Sequence, residues 1–537
     1  MIEEPFKKPP PEGDFQPPPK PKRYWWRFLL ASFTIVFTMA AAVSASGLIY
    51  IESIANELAH NDVLKNKVDR ILTQTKGGEP QNILILGSDK RASEEEDPGR
   101  SDTTILLRLD ADRNAIGLMS IPRDLKVEIP GVGTDKFSAA YAYGGPKLAL
   151  RVVKEITGLP INHVVNVDFL GFARAVYAIG CVYVDVDRRY FHSNEGVPPS
   201  EQYSEINVKP GYQLMCGKKA LQYVRYRHTD TDIVRAARQQ DFLSAARQRV
   251  PVADLVLGRN ELIEIFTEYT TSDISEKETM LEVLKLFIAS RNAEINEVDF
   301  PAELSPSYVY ASAGAIEEAV NQFLGIEASG GPRGSLDKAE SKAQKKKSKR
   351  KKTKKQKQKP KLKPKPPGSD GLVPARDAGE EEAKIVARKV GPGFPVFYPT
   401  RLPSGALYEE SNPFLHIQDP FVYHVKDTDE NRHGAYRMVL KLDLPDGIHY
   451  FGVQGVQGWS DPPLLSGPSI EQTIKGREYE IYLDGDRVKL IAWHRGESTY
   501  WIANSLLRVL TNDQMIGMAR SAKVKIPNKK KRRGTAL

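Results

Sequence analysis

Apolar and polar positions divide this chain into segments of different kind. Residues 28–51 carry no charged side chain, and at about 1.5 Å per residue a helix of that length spans the roughly 30 Å hydrocarbon core of a bilayer. Tyr24, Trp25, Trp26 and Arg27 precede the run as interface residues. Lys20, Lys22 and Arg23 lie further out, and Glu52, Glu57 and Asp62 follow it. That asymmetry puts residues 1–27 in the cytoplasm and the long remainder outside. A cleaved signal peptide is the alternative, because Ser44, Ala45 and Ser46 loosely resemble a cleavage site. The apolar run is longer than a usual signal core, so a single-pass anchor is the expectation. Residues 52–78 read as a juxtamembrane helix or stalk with Ile54, Leu58, Val63, Val68 and Ile71 as its apolar positions.

Over residues 79–325 short apolar runs at 83–86, 104–109, 116–121, 163–167 and 182–186 mix with helical patterns at 146–157 and 170–178. That mixture predicts an α/β fold whose sheet is covered on both faces, a three-layer α-β-α arrangement. Residues 326–382 are rich in Lys, Gln, Ser and Pro, cannot bury a core, and read as a disordered linker. Residues 383–527 form a second, β-rich α+β domain. YRMVLKL is one of its strands, YEIYL and RVKLIAW form a hairpin turning near Asp484 and Gly485, and a helix is expected over 503–519 with Leu506, Leu507, Leu510 and Met515 as its apolar face. Trp459, Trp493, Tyr500 and Trp501 could stack on sugars or fill a core, and core is the expectation for most of them. GVQGWSDPP is distinctive but suggests no chemistry. A basic tail, 528–537, closes the chain.

Charge changes this picture in one respect. The formal net charge is +9, yet residues 338–365 alone hold sixteen Lys and Arg against the single acid Glu340, and five more basic residues occupy 529–533. The rest of the chain is net negative. A nucleic-acid-binding fold spreads basic charge over a structured face, so no nucleic-acid partner is expected. The Lys-rich run is either an electrostatic contact to anionic wall polymers or lipid headgroups, or a spacer kept extended by its own repulsion. The two cysteines, Cys181 and Cys216, could pair outside the cell and brace the arginine-rich segment, or stay as two free buried thiols.

The chemistry gathers at the ends of the apolar runs. Arg225, Arg227, Arg235 and Arg238 fall within fourteen residues of YVRYRHTDTDIVRAARQQDF. Read as a strand, the first part points Arg225 and Arg227 to one face. A helix starting near Asp232 puts Arg235 and Arg238 on one face, three apart. Four guanidinium forks aimed at one place call for an anionic ligand such as a phosphate. Upstream, NILILGSDKR carries Asp89 and Arg91 after one apolar run, GRSDTTILLRL carries Arg100 and Asp102 before another, and MSIPRD places Arg123 and Asp124 after a third. Strand ends are where α/β sheets place their sites. Carboxylates interleaved with arginines suggest a divalent metal with a polyphosphate.

Taken in order, GSDKR, GRSDT, SIPRD, DKFSAAYAYGGP and YVRYRHTDTDIVRAARQQ resemble the LytR-CpsA-Psr (LCP) family, over roughly residues 79–325. The resemblance implies a membrane-anchored extracellular phosphotransferase. It would move a glycopolymer from a polyprenyl-pyrophosphate carrier to peptidoglycan. It implies Mg²⁺ (or Mn²⁺) on Asp89 and Asp102, and a pyrophosphate gripped by Arg100 and Arg123. Arg91, Lys136, Arg225, Arg227, Arg235, Arg238 and Gln239 would complete the phosphate shell. Arg100, Asp102 and Arg123 would carry catalysis. Asp124 would orient Arg123 or simply pair with a neighbouring arginine, and the same two readings hold for Asp232. The only candidates for a general base are Asp102 and Asp89. The acidic insert between Arg91 and Arg100 is a flap, a further metal contact or a surface loop, with a surface loop expected. A pyrophosphatase using water as acceptor, or a non-enzymatic wall-binding or sensory protein, are the competing readings.

Overall fold

The computed structural model describes residues 64–88, 101–198, 204–226, 229–249, 270–290, 293–305, 307–325, 368–410 and 420–527. The apolar run at 28–51 lies outside them. Among the described residues no helix is long and apolar enough to cross a membrane.

In the N-terminal domain β1 (Gln81–Ser88), β2 (Ser101–Asp110), β3 (Ala115–Ser120), α1 (Phe137–Thr157), β4 (His163–Asp168), α2 (Phe169–Ala178), β5 (Val182–Val186), β6 (Gly211–Met215), α3 (Gly217–Arg225), α4 (Asp232–Arg249), β7 (Thr270–Ser272), α5 (Lys277–Ala289), β8 (Glu294–Val298) and α6 (Ala313–Phe323) follow in order. Among the described residues the central sheet has six strands, ordered β7-β4-β1-β2-β3-β8. β1 pairs β2 antiparallel with Leu84 opposite Leu106, and β2 pairs β3 antiparallel with Leu106 opposite Met119. β1 runs parallel to β4, and β3 parallel to β8. The carboxyl ends of β1, β3, β4 and β8 therefore share one edge with the start of β2.

Side chains alternate across a strand, so near-continuous apolar runs mean both faces are covered. Leu84, Leu86, Leu106 and Met119 pack beneath α1 and α6. Ile83, Leu109 and Ile116 face Leu286 and Phe287 of α5 on the other side. This is the expected three-layer arrangement, and the five predicted strands fall where the apolar runs put them. The helix expected over 146–157 begins earlier, at Phe137, and is broken by non-helical backbone at Gly144 and Gly145 just before Pro146. A proline is tolerated there because it opens the first turn of the second segment. The expected stalk also shortens. Leu64 and Val68 are buried in the main core, with Ile71 and Leu72 packed against it.

Cys181 and Cys216 are joined, with Cα atoms 4.7 Å apart and a sequence separation of 35. β5 and β6 pair antiparallel with Val182 opposite Met215, so the bridge continues their register by one step. Cys216 is also the N-cap of α3. At the other side Arg249, ending α4, donates to the carbonyls of Cys181 (3.1 Å) and Gly180 (2.9 Å).

The C-terminal domain starts before residue 383. Leu372–Pro374 is a strand inside the segment expected to be linker, and α7 (Arg376–Lys389) is a helix that begins inside it and runs past residue 382. Only small or single apolar residues, Gly379, Ala383 and Val386, line the buried side of α7, so its charge hides it. After it come β9 (Phe421–Lys426), β10 (Arg432–Leu444), β11 (Gly447–Val456), β12 (Ile470–Ile474), β13 (Arg477–Asp484), β14 (Arg487–Arg495), β15 (Ser498–Ala503) and α8 (Asn512–Ser521). Among the described residues these strands and Leu407–Tyr408 form an eight-stranded sheet. The β13–β14 hairpin turns after Asp484 as expected, with Gly485 at φ 59°. The helix expected over 503–519 is shorter. It starts at the Thr511 N-cap, where Thr511 and Gln514 form a reciprocal capping box. Residues 504–510 form a loop instead, in which the Asn504 side chain bonds the backbone of Val488, Ser505 and Leu510. Trp493, Trp501, Tyr500 and Trp459 are all buried, as the core reading expects.

Closing a loop of 35 residues limits the unfolded chain, an effect worth about 4 kcal/mol. Reduction, or Cys216→Ser, should lower the unfolding free energy by roughly 2–4 kcal/mol. Denaturant unfolding with and without a thiol reductant measures this, and an unchanged midpoint would refute the bracing role.

Candidate active site

The edge where β1, β3, β4 and β8 end gathers the motifs. Ser88 closes β1 directly before Asp89, and Ser120 closes β3 two residues before Pro122 and three before Arg123. The pairing of β1 with β2 shifts between Gly87 and Ser88, which face Thr103 and Ser101, so Asp102 is the extra residue of a bulge. Bulges re-aim side chains at sheet rims.

Beyond β3 the backbone is pinned. The Ser138 N–H donates to the Arg123 carbonyl (2.9 Å) and the Val309 N–H to the Asp124 carbonyl (2.8 Å). Lys136, the residue before α1, ends a short hairpin and brings its Nζ to 3.0 Å from Asp124 Oδ1, with Arg123 Nε 3.6 Å from the same oxygen. Burial alone would raise the Asp124 pKa. The Lys136 hydrogen bond and the charges of Arg123, Lys136 and Arg235 outweigh it and hold the carboxyl below its usual value. Asp124 is thus ionised and already paired, and orients both Arg123 and Lys136.

α4 crosses above this edge. Gln239 Nε2 donates to Thr103 Oγ1 (2.9 Å) and to the Val224 carbonyl (3.1 Å), and Gln240 Nε2 reaches Ser120 Oγ (3.4 Å). Arg235 is buried, pairs with Asp232 one turn earlier (2.9 Å), and lies close enough for its charge to act on Asp124. Arg123, Asp124, Lys136, Asp232, Arg235 and Gln239 are therefore brought into one neighbourhood. The internal pairing considered for Asp124 and Asp232 is present at both.

Arg238 departs from the expectation. It is 0% exposed. Its NH1 donates to the carbonyls of Tyr223 (2.9 Å) and Tyr226 (3.0 Å), its NH2 pairs with Asp230, and the guanidinium lies 4.5 Å from the Tyr190 ring centroid. Arg188 reaches the same carboxylate at 2.5 Å. NH1 and NH2 are thus taken up inside the fold and Nε is buried without a hydrogen-bond partner among the described residues, an arrangement that makes Arg238 a structural cation rather than an open phosphate ligand. Arg225 lies on a different element from the one expected, because the segment read as a strand is the last turn of α3. Its guanidinium sits 3.8 Å from the centroid of Phe169. Asp89, Arg91, Arg100 and Arg227 lie outside the described residues, and of Asp102 only the backbone is described. Thr103, Ser120, Gln240 and Asp230 complete the neighbourhood and were not singled out from sequence. All four stand inside the quoted motifs, Thr103 in GRSDT, Ser120 in SIPRD, and Asp230 and Gln240 in YVRYRHTDTDIVRAARQQ, where the neighbouring charged residues drew the attention.

Breaking a buried ion pair from one side costs about 3–5 kcal/mol. Arg238→Met should lose stability on that scale in chemical denaturation. A variant unfolding at the wild-type midpoint would restore Arg238 to the list of ligand-facing arginines.

A profile of the LytR_cpsA_psr family matches residues 47–324 and ends where the N-terminal domain ends. A Bacillus subtilis protein named polyisoprenyl-teichoic acid–peptidoglycan teichoic acid transferase TagT is 27% identical over 262 residues, covering 48% of this chain and 80% of that protein. A Corynebacterium glutamicum protein named probable cell wall biosynthesis protein LcpB is 30% identical over 250 residues, 43% of this chain and 57% of that protein. Among solved structures, one described as TagT bound to LI-WTA covers 47% of this chain and 93% of its own, at 24% identity and a TM-score of 0.37. With just over half of its residues matched by the family profile, this chain belongs to the LytR_cpsA_psr family.

Proposed function

We propose that this chain transfers a glycopolymer from a polyprenyl-pyrophosphate carrier to peptidoglycan, joining the two through a phosphodiester. The observation that carries the reading is the clustering of Arg123, Lys136 and Arg235 around Asp124 at the carboxyl edge of the sheet. Phosphoryl transfer needs positioning and charge neutralisation more than covalent help, and this edge supplies fixed cations on a rigid frame. The substrates come from the names of relatives such as the Bacillus subtilis protein, which mention a polyisoprenyl-teichoic acid and peptidoglycan.

In this reading an acceptor hydroxyl oxygen bonds to the phosphorus that bears the glycan. The bridging P–O bond breaks, and polyprenyl phosphate leaves with the electron pair. The hydroxyl proton passes to a carboxylate, for which Asp102 and Asp89 are the candidates. Arg123 and Arg235 grip the pyrophosphate oxygens, with Lys136, Arg91, Arg100, Arg225 and Arg227 as further members of the shell. Mg²⁺ (or Mn²⁺) on Asp89 and Asp102 would neutralise charge as it develops. One observation fits such an ion: the buried hydroxyl of Ser88, next to Asp89 in sequence, has no hydrogen-bond partner among the described residues. Residues 28–51 anchor the chain, with the folded domains outside the cytoplasm. The Cys181–Cys216 disulfide supports an oxidising compartment.

The test uses the detergent-solubilised chain with Mg²⁺, a lipid-pyrophosphate-linked oligosaccharide and a peptidoglycan oligomer. A covalent glycan–peptidoglycan product is expected, falling by about 10²-fold or more in Arg123→Ala and Asp102→Ala. Lipid phosphate released without a joined product would favour a pyrophosphatase. Lipid binding without turnover would favour a wall-binding protein.

A further inference from the structure

The C-terminal domain lies beyond the family match, and it is built into the same body as the site. The described residues, from Leu64 on, cluster as one compact unit. Its sheet is apolar on both faces. One face, with Tyr436, Met438, Phe451 and Trp493, packs under α7 and α8. The other, with Ala435, Val456 and Trp501, packs on Tyr183 of β5 and Tyr212 of β6. At the centre of that second face Asp185 accepts from Arg437 NH1 (3.0 Å to each carboxylate oxygen) and from Trp501 Nε1 (2.9 Å). Such a buried carboxylate would be left without its cation if the domains parted, a loss of several kcal/mol.

Two further links reach α4 itself. Arg508 is buried and uses its whole donor fork. NH2 bridges both oxygens of Asp241 (2.8 and 3.0 Å), Nε binds Asp484 (3.0 Å), and NH1 binds the carbonyls of Ser505 (2.7 Å) and Leu506 (3.1 Å). Lys489 adds 2.9 Å to Asp241 Oδ1. Arg508 holds a left-handed φ of 53° to do this, a conformation that costs a non-glycine residue and persists where surroundings enforce it. Beside it Leu506 and Leu507 pack on Ala237 and against Ile233 and Val234. Ile233, Ala237 and Asp241 recur every four residues, so they share one side of the helix. Asp232, Arg235 and Gln239 recur at three and four on another, toward the site. The second link is a stack. Arg188 lies 4.7 Å from the ring centroids of both Tyr190 and Tyr450, the latter from β11, and holds Asp230, which holds Arg238 of α4.

We propose that the C-terminal domain is a positioning element of the phosphate site: its loop 504–510 and Lys489 fix one side of α4 and thereby set where Arg235 and Gln239 lie on the other. Asp241 and Arg508 are positioning residues in this scheme, since neither touches the site. The role of Arg235 and Gln239 rests on the transferase reading, whereas the fixing of α4 does not.

The test compares the full chain with Lys489→Ala, Arg508→Gln and the double variant. Amide hydrogen exchange of α4 and of β1–β3 is read alongside binding of inorganic pyrophosphate in the presence of Mg²⁺. In the double variant, α4 amides should exchange on the order of tenfold faster and pyrophosphate should bind roughly five- to tenfold more weakly, while β1–β3 stay protected. Arg508→Lys should recover part of both, and Lys489→Ala alone should show the same direction in a chain that remains folded. Unchanged α4 exchange overturns the proposal. So does equal loss of protection in β1–β3, which would mean general destabilisation. Wild-type chain that binds no pyrophosphate would count against the transferase reading, and the exchange data would still decide whether the C-terminal domain holds α4.

Discussion

The caging of Arg238 is the constraint on which the site depends. A fully buried guanidinium is tolerable only when most of its donors are met. Here Asp230 and two tyrosine carbonyls take up NH1 and NH2 and a tyrosine face lies against the group, leaving Nε as the donor without a hydrogen-bond partner among the described residues. Burial alone would favour the neutral form, but the Asp230 charge outweighs it and the cation stays charged. Because the carbonyls belong to the end of α3 and its exit, the cage fixes α4 against α3 in one register. That register delivers Gln239 to Thr103 and Gln240 to Ser120. It also carries Arg235 toward Asp124. An arginine held inside the fold thus helps determine where its neighbours on α4 lie.

The remaining arrangement follows from polar groups that must be paired once buried. Asp124 fixes Arg123 and Lys136 at the sheet edge, Asp185 fixes the C-terminal sheet, and Asp241 fixes the far side of α4. The folded parts are net acidic, and these carboxylates show one use of that charge: each one places a cation. The aromatic residues of the C-terminal domain serve the same assembly. Trp459 lies edge-on to Tyr183 and stacks on His433, and Trp501 stands perpendicular to Tyr212. The segment GVQGWSDPP, which suggested no chemistry, thus contributes to a joint between domains.

What the sequence makes legible depends on how local the cause is. β1 to β4 are plain in it because strands buried on both faces need continuous apolar runs. The motifs at their ends are equally plain, because the turns that carry them follow directly. Arg235 and Arg238 look alike in sequence, and only the distant partners Asp230 and Asp124 separate a caged cation from one near the sheet edge. QYVRYR alternates like a strand, yet Ala220, Tyr223 and Val224 give the segment a buried helical side. Leu506 and Leu507 suggested one face of a helix, but they answer to Ala237 some 270 positions away in the chain. Helix α7 escaped notice because its buried side is made of small residues among charges.

The most direct measurement is a crystal structure of the detergent-solubilised chain with geranyl pyrophosphate and Mg²⁺. The account predicts the pyrophosphate at the carboxyl edge of the central sheet, within hydrogen-bond reach of Arg123 and Arg235, with Arg238 still closed on Asp230. A pyrophosphate bound elsewhere, or held by an Arg238 released from Asp230, would contradict it.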